Sequence, residues 1–343
     1  MDNKLIFLTN ALASSINENT SIDLATGKMG LCIYYYILSD NKRNKYQKIA
    51  EKLLDDIFCS IDRINSIDLK YGLTGIGLGI RYLLNKKYIK GDVNEVLKDI
   101  DDKVFKSLCT TTLIDSCNPL FLIHILYYLS IRLENQKPNS ESEYLFQELA
   151  IQTINHLYCK IDIHFFHEPI NYTFDYALPL LLFVLSKVYY SISYEDKIKK
   201  IIEEYSIEIL SIYPKLHANR LFLWCGMNKA AKFLKNESWN NHIDLLKKNI
   251  NFKNIFNQEL KNKNIFFADG LCSILFLIND YSQHTGINEL ENNKKDIVQK
   301  IISSDTWNLM LNDPSSLINY RGLYNGICGI LLTIKHFNLM QFV

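Results

Sequence analysis

The sequence predicts an all-α fold, an α/α toroid of seven inner and seven outer helices in a single domain over residues 1–343. A glycine-containing or small-residue turn, followed by an apolar helix with almost no charge, recurs along the chain, which is typical of helical repeat folds. The segments between these helices are amphipathic, as expected for helices with one face in water. β-Branched runs are short and follow the helical period, so no sheet is predicted.

Seven copies of this turn-and-helix unit can be placed on the sequence. Three are clear and begin at Gly27, Gly72 and Gly326. Four degenerate copies lie between them, at residues 116–119, 176–179, 224–227 and 270–273. The first and last copies are apolar, whereas an open array needs polar ends, so the pattern favours a closed ring.

Composition excludes several classes of function. Lys and Arg number 38 and Asp and Glu 37, a net charge of +1, which argues against a nucleic-acid partner. The N-terminal apolar run is too short for a secretory signal, and no apolar run is long enough to span a membrane, so we expect a cytoplasmic protein. Eight irregularly spaced cysteines indicate reduced thiols rather than a disulfide framework.

Candidate chemistry lies just before the inner helices, where residues from separate repeats would meet at one mouth of the ring. Cys225 and Cys272 are one repeat apart, and two thiolates are half of a tetrahedral zinc site. Two core cysteines are the alternative interpretation. Asp68 and Asp175 are candidate acids, with helix capping as their alternative role.

These motifs resemble those of the lanthionine synthetase C-like family, the lantibiotic cyclases, over essentially the whole chain. Trp224-Cys225 is similar to the family's Trp-Cys zinc-ligand turn, and Gly270-Leu271-Cys272 to the start of its Gly-Leu-Cys-His-Gly element. Residues 322–329 resemble its final repeat. Residues 68–75 resemble its second repeat, in which a functional Asp stands four residues before the Gly.

The resemblance implies a zinc-assisted peptide cyclase. Zn²⁺ would lower the pKa of a cysteine thiol in a ribosomally made precursor peptide, and the thiolate would add to a dehydroamino acid to form a thioether ring. Cys225 and Cys272 would be metal ligands, and Asp68, Asp175 and Arg220 would be catalytic. The implied partners are the precursor peptide and a dehydratase.

The sequence departs from the family pattern at three positions. Ser273 stands where the third zinc ligand is expected, Asp175 aligns with a catalytic His, and Gly226 replaces an aromatic residue. His217 or Cys117 could substitute as a ligand, although structural roles are more common for such residues. These departures support a second hypothesis, a catalytically degenerate relative that acts as a binding scaffold for the peptide or the dehydratase.

A third hypothesis comes from another enzyme class. Helical toroids also process glycosides with two carboxylates, for which Asp68 and Asp175 would be the pair. Sugar sites usually add several aromatic platforms, and Trp224 is the only obvious one here. We therefore rank this hypothesis last.

Overall fold

The computed structural model describes residues 3–17, 20–40, 44–110, 116–260 and 264–339. Over these ranges the regular structure is helical, with no strand, which confirms the all-α prediction. In chain order the helices are α1 (Asn3–Ser14), α2 (Lys28–Ser39), α3 (Lys45–Ser60), α4 (Leu73–Asn85), α5 (Val93–Val96), α6 (Lys98–Leu108), α7 (Pro119–Leu133), α8 (Glu141–Lys160), α9 (Ala177–Tyr189), α10 (Glu195–Glu204), α11 (Ser206–Ser211), α12 (His217–Leu234), α13 (Glu237–Lys248), α14 (Phe252–Asn254), α15 (Leu271–Thr285), α16 (Glu289–Ile302), α17 (Asp305–Asn312) and α18 (Ile327–His336). None of the helices described is long and apolar enough to cross a membrane.

Buried and half-exposed helices alternate along the chain, as the sequence pattern predicts. The apolar helices are α2, α4, α7, α9, α12, α15 and α18. In α2, for example, every residue from Lys28 to Tyr36 is buried. Helix α3, in contrast, buries only one face, which carries Ala50, Leu53, Leu54 and Ile57. This difference follows from the spacing of apolar residues in each helix.

The chain divides into two compact units, and the first contains residues 1–104, 260–276 and 288–343. Within it α1 packs on α2, where the hydroxyls of Thr9 and Tyr34 lie 2.7 Å apart. The first and last repeats are also neighbours. The Cys328 thiol donates to the Gly30 carbonyl over 3.4 Å, and the Tyr324 amide donates to the Ala25 carbonyl over 2.9 Å. Contact between these repeats is what the ring prediction requires.

The second unit contains residues 105–259 and 277–287. Its core is formed by α7, α9 and α12, with α8 packed on α7 and α13 packed on α12. The rings of Tyr189 and Phe233 stack with centroids 4.1 Å apart, and the Trp239 indole donates to the Met227 carbonyl over 3.0 Å. The prediction of a single domain over the whole chain stays a prediction.

One predicted turn is wrong. Residues 224–227 lie within α12, which begins at His217, so this segment is helical rather than a loop before a helix. In sequence Gly226 resembles a turn glycine, but its role is to leave space for a neighbouring helix. A Cβ at this position would lie 2.8 Å from the Pro179 carbonyl oxygen, so the glycine lets α9 approach α12 closely.

Candidate functional site

The turns that precede four of the apolar helices share one hydrogen bond. In each, the first amide of the helix donates to the carbonyl of the residue seven positions earlier, with N–O distances between 2.7 and 3.0 Å. The pairs are Lys28 with Ser21, Leu73 with Ser66, Leu271 with Asn264, and Ile327 with Tyr320. All four turns belong to the first unit. The loop itself therefore satisfies one of the amides that a helix start leaves unpaired.

The third residue of the helix is glycine in three of these four copies, and in those three a Cβ would collide with the backbone of the turn. A Cβ at Gly75 would lie 1.9 Å from the Leu69 carbonyl oxygen, and one at Gly329 would lie 2.0 Å from the Leu323 oxygen. These glycines therefore have a steric role in the turn.

Asp68, a predicted catalytic residue, forms hydrogen bonds within its own turn. Its carboxylate accepts from the Lys70 amide over 2.7 Å and from the Tyr71 amide over 2.8 Å. Asp23 occupies the same place in the first repeat and accepts from the Thr26 amide over 2.7 Å. A short acidic side chain that accepts from following amides is a common turn brace.

Cys272, a predicted zinc ligand, is the second residue of α15 and is fully buried. Burial raises the pKa of its thiol to about 12. The second residue of the helix is fully buried in the other three turns as well, where it is Met29, Thr74 and Cys328. The second residue of the helix is thus buried whatever its type. Cys328 occupies this position in the last turn, as Cys272 does in its own.

Ser273, which follows Cys272, stands at the position that is glycine in the other three copies. Its hydroxyl donates to the Gly270 carbonyl over 3.1 Å. That bond directs the hydroxyl oxygen into the turn of its own helix. A neutral hydroxyl engaged in this way is a poor ligand for zinc, which prefers thiolate, imidazole and carboxylate donors.

Cys225, the other predicted zinc ligand, lies in the middle of α12 and is only 4% exposed. Its thiol donates to the Leu277 carbonyl over 3.8 Å. Burial raises the pKa of the Cys225 thiol well above its usual range; the charge of Asp280 raises it further and that of Lys229 lowers it. A protonated thiol is the dominant form in this environment.

Arg220, the third predicted catalytic residue, is buried, and its guanidinium donates hydrogen bonds to backbone carbonyls. Nη2 donates to the Pro214 carbonyl over 2.7 Å, and Nη1 donates to the Asn249 carbonyl. The guanidinium carbon also lies 4.4 Å from the ring centroid of Tyr213. These contacts join the first turn of α12 to the loop before α12 and to the loop after α13.

Two carboxylates at the start of α12 were missed by sequence reasoning. Glu259 accepts from the amides of His217 and Ala218 over 2.6 and 2.9 Å. Glu168 accepts from the Leu216 amide over 3.0 Å and from the Asn219 side chain over 3.0 Å. Their negative charge suits the positive end of the helix dipole. Their partners lie more than forty residues away in sequence, so no local sequence motif indicates these contacts.

The other candidates lie at helix starts. Asp175 directly precedes Tyr176, which is the N-cap of α9. The backbone amide of Asp175 donates to the Thr173 hydroxyl over 3.1 Å. Asp68 belongs to the first unit and Asp175 to the second. His217 begins α12, and its Nδ1 lies 3.0 Å from the Asn249 carbonyl oxygen. Cys117 is half-buried, which raises the pKa of its thiol.

The donor set does not fit a zinc centre. A catalytic zinc requires three protein ligands and one open position. Over the ranges that the structure describes, no three His, Cys, Asp or Glu side chains come together around a common point. Both predicted ligands are also buried, and the Cys225 thiol donates to the Leu277 carbonyl.

Comparisons with known proteins identify the fold. No protein-family model matches the chain, and no curated protein matches it significantly by sequence. Among solved structures, the chain is similar to nisin cyclase, with a TM-score of 0.66 and 14% sequence identity over 98% of this chain and 93% of that one. Nisin cyclase is an α/α toroid, so the predicted fold class is confirmed, and the resemblance noted in the sequence is confirmed in fold.

Proposed function

We propose that this chain is a peptide-binding scaffold built on the cyclase fold, and that it does not form thioether rings by zinc chemistry. The observation that carries the proposal is the state of the predicted ligands. Cys225 and Cys272 are buried, hydrogen-bonded or packed thiols, and Ser273 directs its hydroxyl to the Gly270 carbonyl. No third donor joins them among the residues described.

Two of the three predicted catalytic residues support the same proposal. Asp68 accepts two amides of its own turn, and Arg220 is occupied by the Pro214 and Asn249 carbonyls. Each of these groups has a structural role that explains its presence. Such roles do not require substrate, and they support the scaffold over the cyclase.

A ribosomally made precursor peptide is the partner that we propose. Nisin cyclase, by its name, acts on nisin, which is a peptide, and the fold is shared along nearly the whole chain. A scaffold that retains this fold without the metal would still bind a peptide and could present it to a dehydratase. A dehydratase is therefore the second partner to test.

The likeness to nisin cyclase also favours a second candidate function, an active peptide cyclase with Cys225 and Cys272 as zinc ligands. This candidate requires both thiols to ionise and a third ligand to be supplied, and it predicts about one zinc per chain. Asp175 would then be the acid that protonates the enolate.

One experiment separates the two candidates. The full chain is incubated with dehydrated nisin precursor, the remaining peptide thiols are alkylated, and the products are counted by mass spectrometry, because cyclisation itself leaves the mass unchanged. Binding of the same fluorescently labelled peptide is followed by anisotropy. The scaffold proposal expects saturable binding, with thiols lost no faster than in buffer.

Two outcomes would overturn the proposal. Thiol loss that exceeds the buffer rate and disappears in Cys225→Ala would establish the cyclase. Absence of binding to the dehydrated precursor, with the chain folded by circular dichroism, would remove the peptide-scaffold function. Cys328→Ala is the matched control, because Cys328 is buried as Cys272 is but has no proposed ligand role.

A further inference from the structure

A cavity of about 470 Å³ lies within the first unit, along the second halves of α2, α4 and α18. Its wall is largely aliphatic and aromatic. Its apolar lining residues include Ile33, Ile37, Leu78, Leu332 and Phe276. Cavities that bind small molecules usually measure about 300 to 1,000 Å³ and have mostly apolar walls. Asp68 and Cys272 do not line it, so the cavity is separate from the predicted zinc chemistry.

Basic residues also line this cavity. Lys86 follows the last residue of α4, and Lys335 and His336 are the last two residues of α18. All three line the cavity, and among the residues that the structure describes no acidic one does. Burial raises the pKa of Tyr88 in the wall, and the negative charge of Asp40 raises it further.

Helix dipoles explain part of this arrangement, since basic residues are favoured in the last turn of any helix. Lysines from two different helices nevertheless line the same apolar cavity. An anion bound there would be attracted by both charges. An apolar wall that also carries two lysines therefore suits a ligand with an apolar chain and an anionic head.

We propose that this cavity binds an aliphatic carboxylate of about ten carbons, with the chain along Ile33, Leu78 and Leu332 and the carboxylate at Lys86 and Lys335. At about 30 Å³ for each water-sized group, the volume holds roughly fifteen heavy atoms. A ten-carbon acid fills most of it. The lysines supply charge-assisted hydrogen bonds to the carboxylate.

The test is calorimetric titration of sodium decanoate, below its micelle concentration, into the full chain. We expect one saturable site. The double variant Lys86→Gln/Lys335→Gln should weaken binding by about tenfold or more, which corresponds to about 1.4 kcal/mol. Lys87→Gln is the matched control, because Lys87 is the next residue, is exposed and does not line the cavity. Its affinity should equal that of the unaltered chain.

Decanol provides the second arm, because it has the same chain without the charge. It should bind more weakly than decanoate and be insensitive to the lysine substitutions. Leu332→Trp, which fills the cavity, should abolish binding of both probes while thermal unfolding confirms that the variant is folded. The proposal is overturned if decanoate does not bind, if the double variant binds it normally, or if decanol binds equally well.

Discussion

The two units start their apolar helices in different ways. In the first unit, four helices are preceded by the same turn, which satisfies the first amide from within the loop over 2.7 to 3.0 Å. In the second unit the start of each apolar helix is capped in a different way. The Asn118 side chain caps α7, α9 has no side-chain cap, and Glu168 and Glu259 approach the start of α12 from distant segments.

This difference shows that the sequence motif has a steric cause and does not by itself indicate a metal site. The sequence motif is retained where the turn depends on it, because Gly75 and Gly329 have no space for a Cβ. Cys272 is part of that turn pattern, as Cys328 is. A cysteine in such a motif is therefore explained by packing before any metal is considered.

The largest expected effect is Gly75→Ala in the first unit. The added Cβ would lie 1.9 Å from the Leu69 carbonyl oxygen, so backbone must move, and we expect a loss of about 3 to 5 kcal/mol of unfolding free energy. Urea denaturation measures it. Gly286→Ala in the second unit is the control. It has open space but a φ of +72°, and should cost about 1 to 2 kcal/mol. Equal losses would contradict the steric role of the turn.

Arg220→Gln tests the long-range bracing of the second unit. It removes charged hydrogen bonds to the buried Pro214 carbonyl and to the Asn249 carbonyl, and should cost about 2 to 3 kcal/mol. Thermal or urea unfolding measures the loss, and Arg63→Gln on an exposed helix end should change little. A catalytic Arg220 would instead leave stability unchanged and abolish ring formation.

Cys272 gives a pH-dependent prediction. Its thiol has an ordinary pKa of 9.0, and burial raises it to about 12 in the folded chain. Between these values the unfolded state binds fewer protons, so the free energy of unfolding falls as pH rises from about 9 to about 12. Between pH 9 and pH 10.5 the contribution is about 1 to 2 kcal/mol.

The measurement compares urea unfolding of the unaltered chain and of Cys272→Ala at several alkaline pH values. Other buried groups, such as Tyr34 and Tyr35, also have raised pKa values, so the difference between the two slopes isolates Cys272. The variant should lose less stability as pH rises. Parallel slopes would mean that the thiol is already ionised, as a metal ligand would be.

The smallest expected effect is Asp68→Asn. An asparagine oxygen can still accept from the Lys70 and Tyr71 amides, so the stability should change by less than about 0.5 kcal/mol. Asp68→Ala removes the acceptor and should cost about 1 kcal/mol. If Asp68 acted in catalysis, both variants would lose ring formation from a dehydrated precursor equally.

The sequence predicted the fold where the repeat is local. The starts of α2, α4 and α18 follow Gly27, Gly72 and Gly326 as predicted, since each turn is fixed by residues within a few positions. The turn predicted at residues 116–119 ends one residue too late, because α7 already begins at Pro119, after its cap Asn118. Local sterics and capping are readable in sequence because the interacting atoms lie close along the chain.

The start of α12 could not be predicted in the same way. Gly226 is a contact glycine inside a helix, and from sequence it cannot be distinguished from a turn glycine. The carboxylates of Glu168 and Glu259 are brought to this helix by tertiary packing alone. Motif spacing likewise left a zinc site and two core cysteines as alternatives, because it records that Cys225 and Cys272 are one repeat apart but not that both thiols are buried.

If the chain is a scaffold without zinc, Cys225 and Cys272 are core thiols that hold no metal. Native mass spectrometry of the chain produced in zinc-supplemented medium measures this, with Cys225→Ala, Cys272→Ala and Cys328→Ala in parallel. We expect the metal-free mass for all four proteins. One zinc in the unaltered chain and in Cys328→Ala, lost in Cys225→Ala and Cys272→Ala, would contradict it.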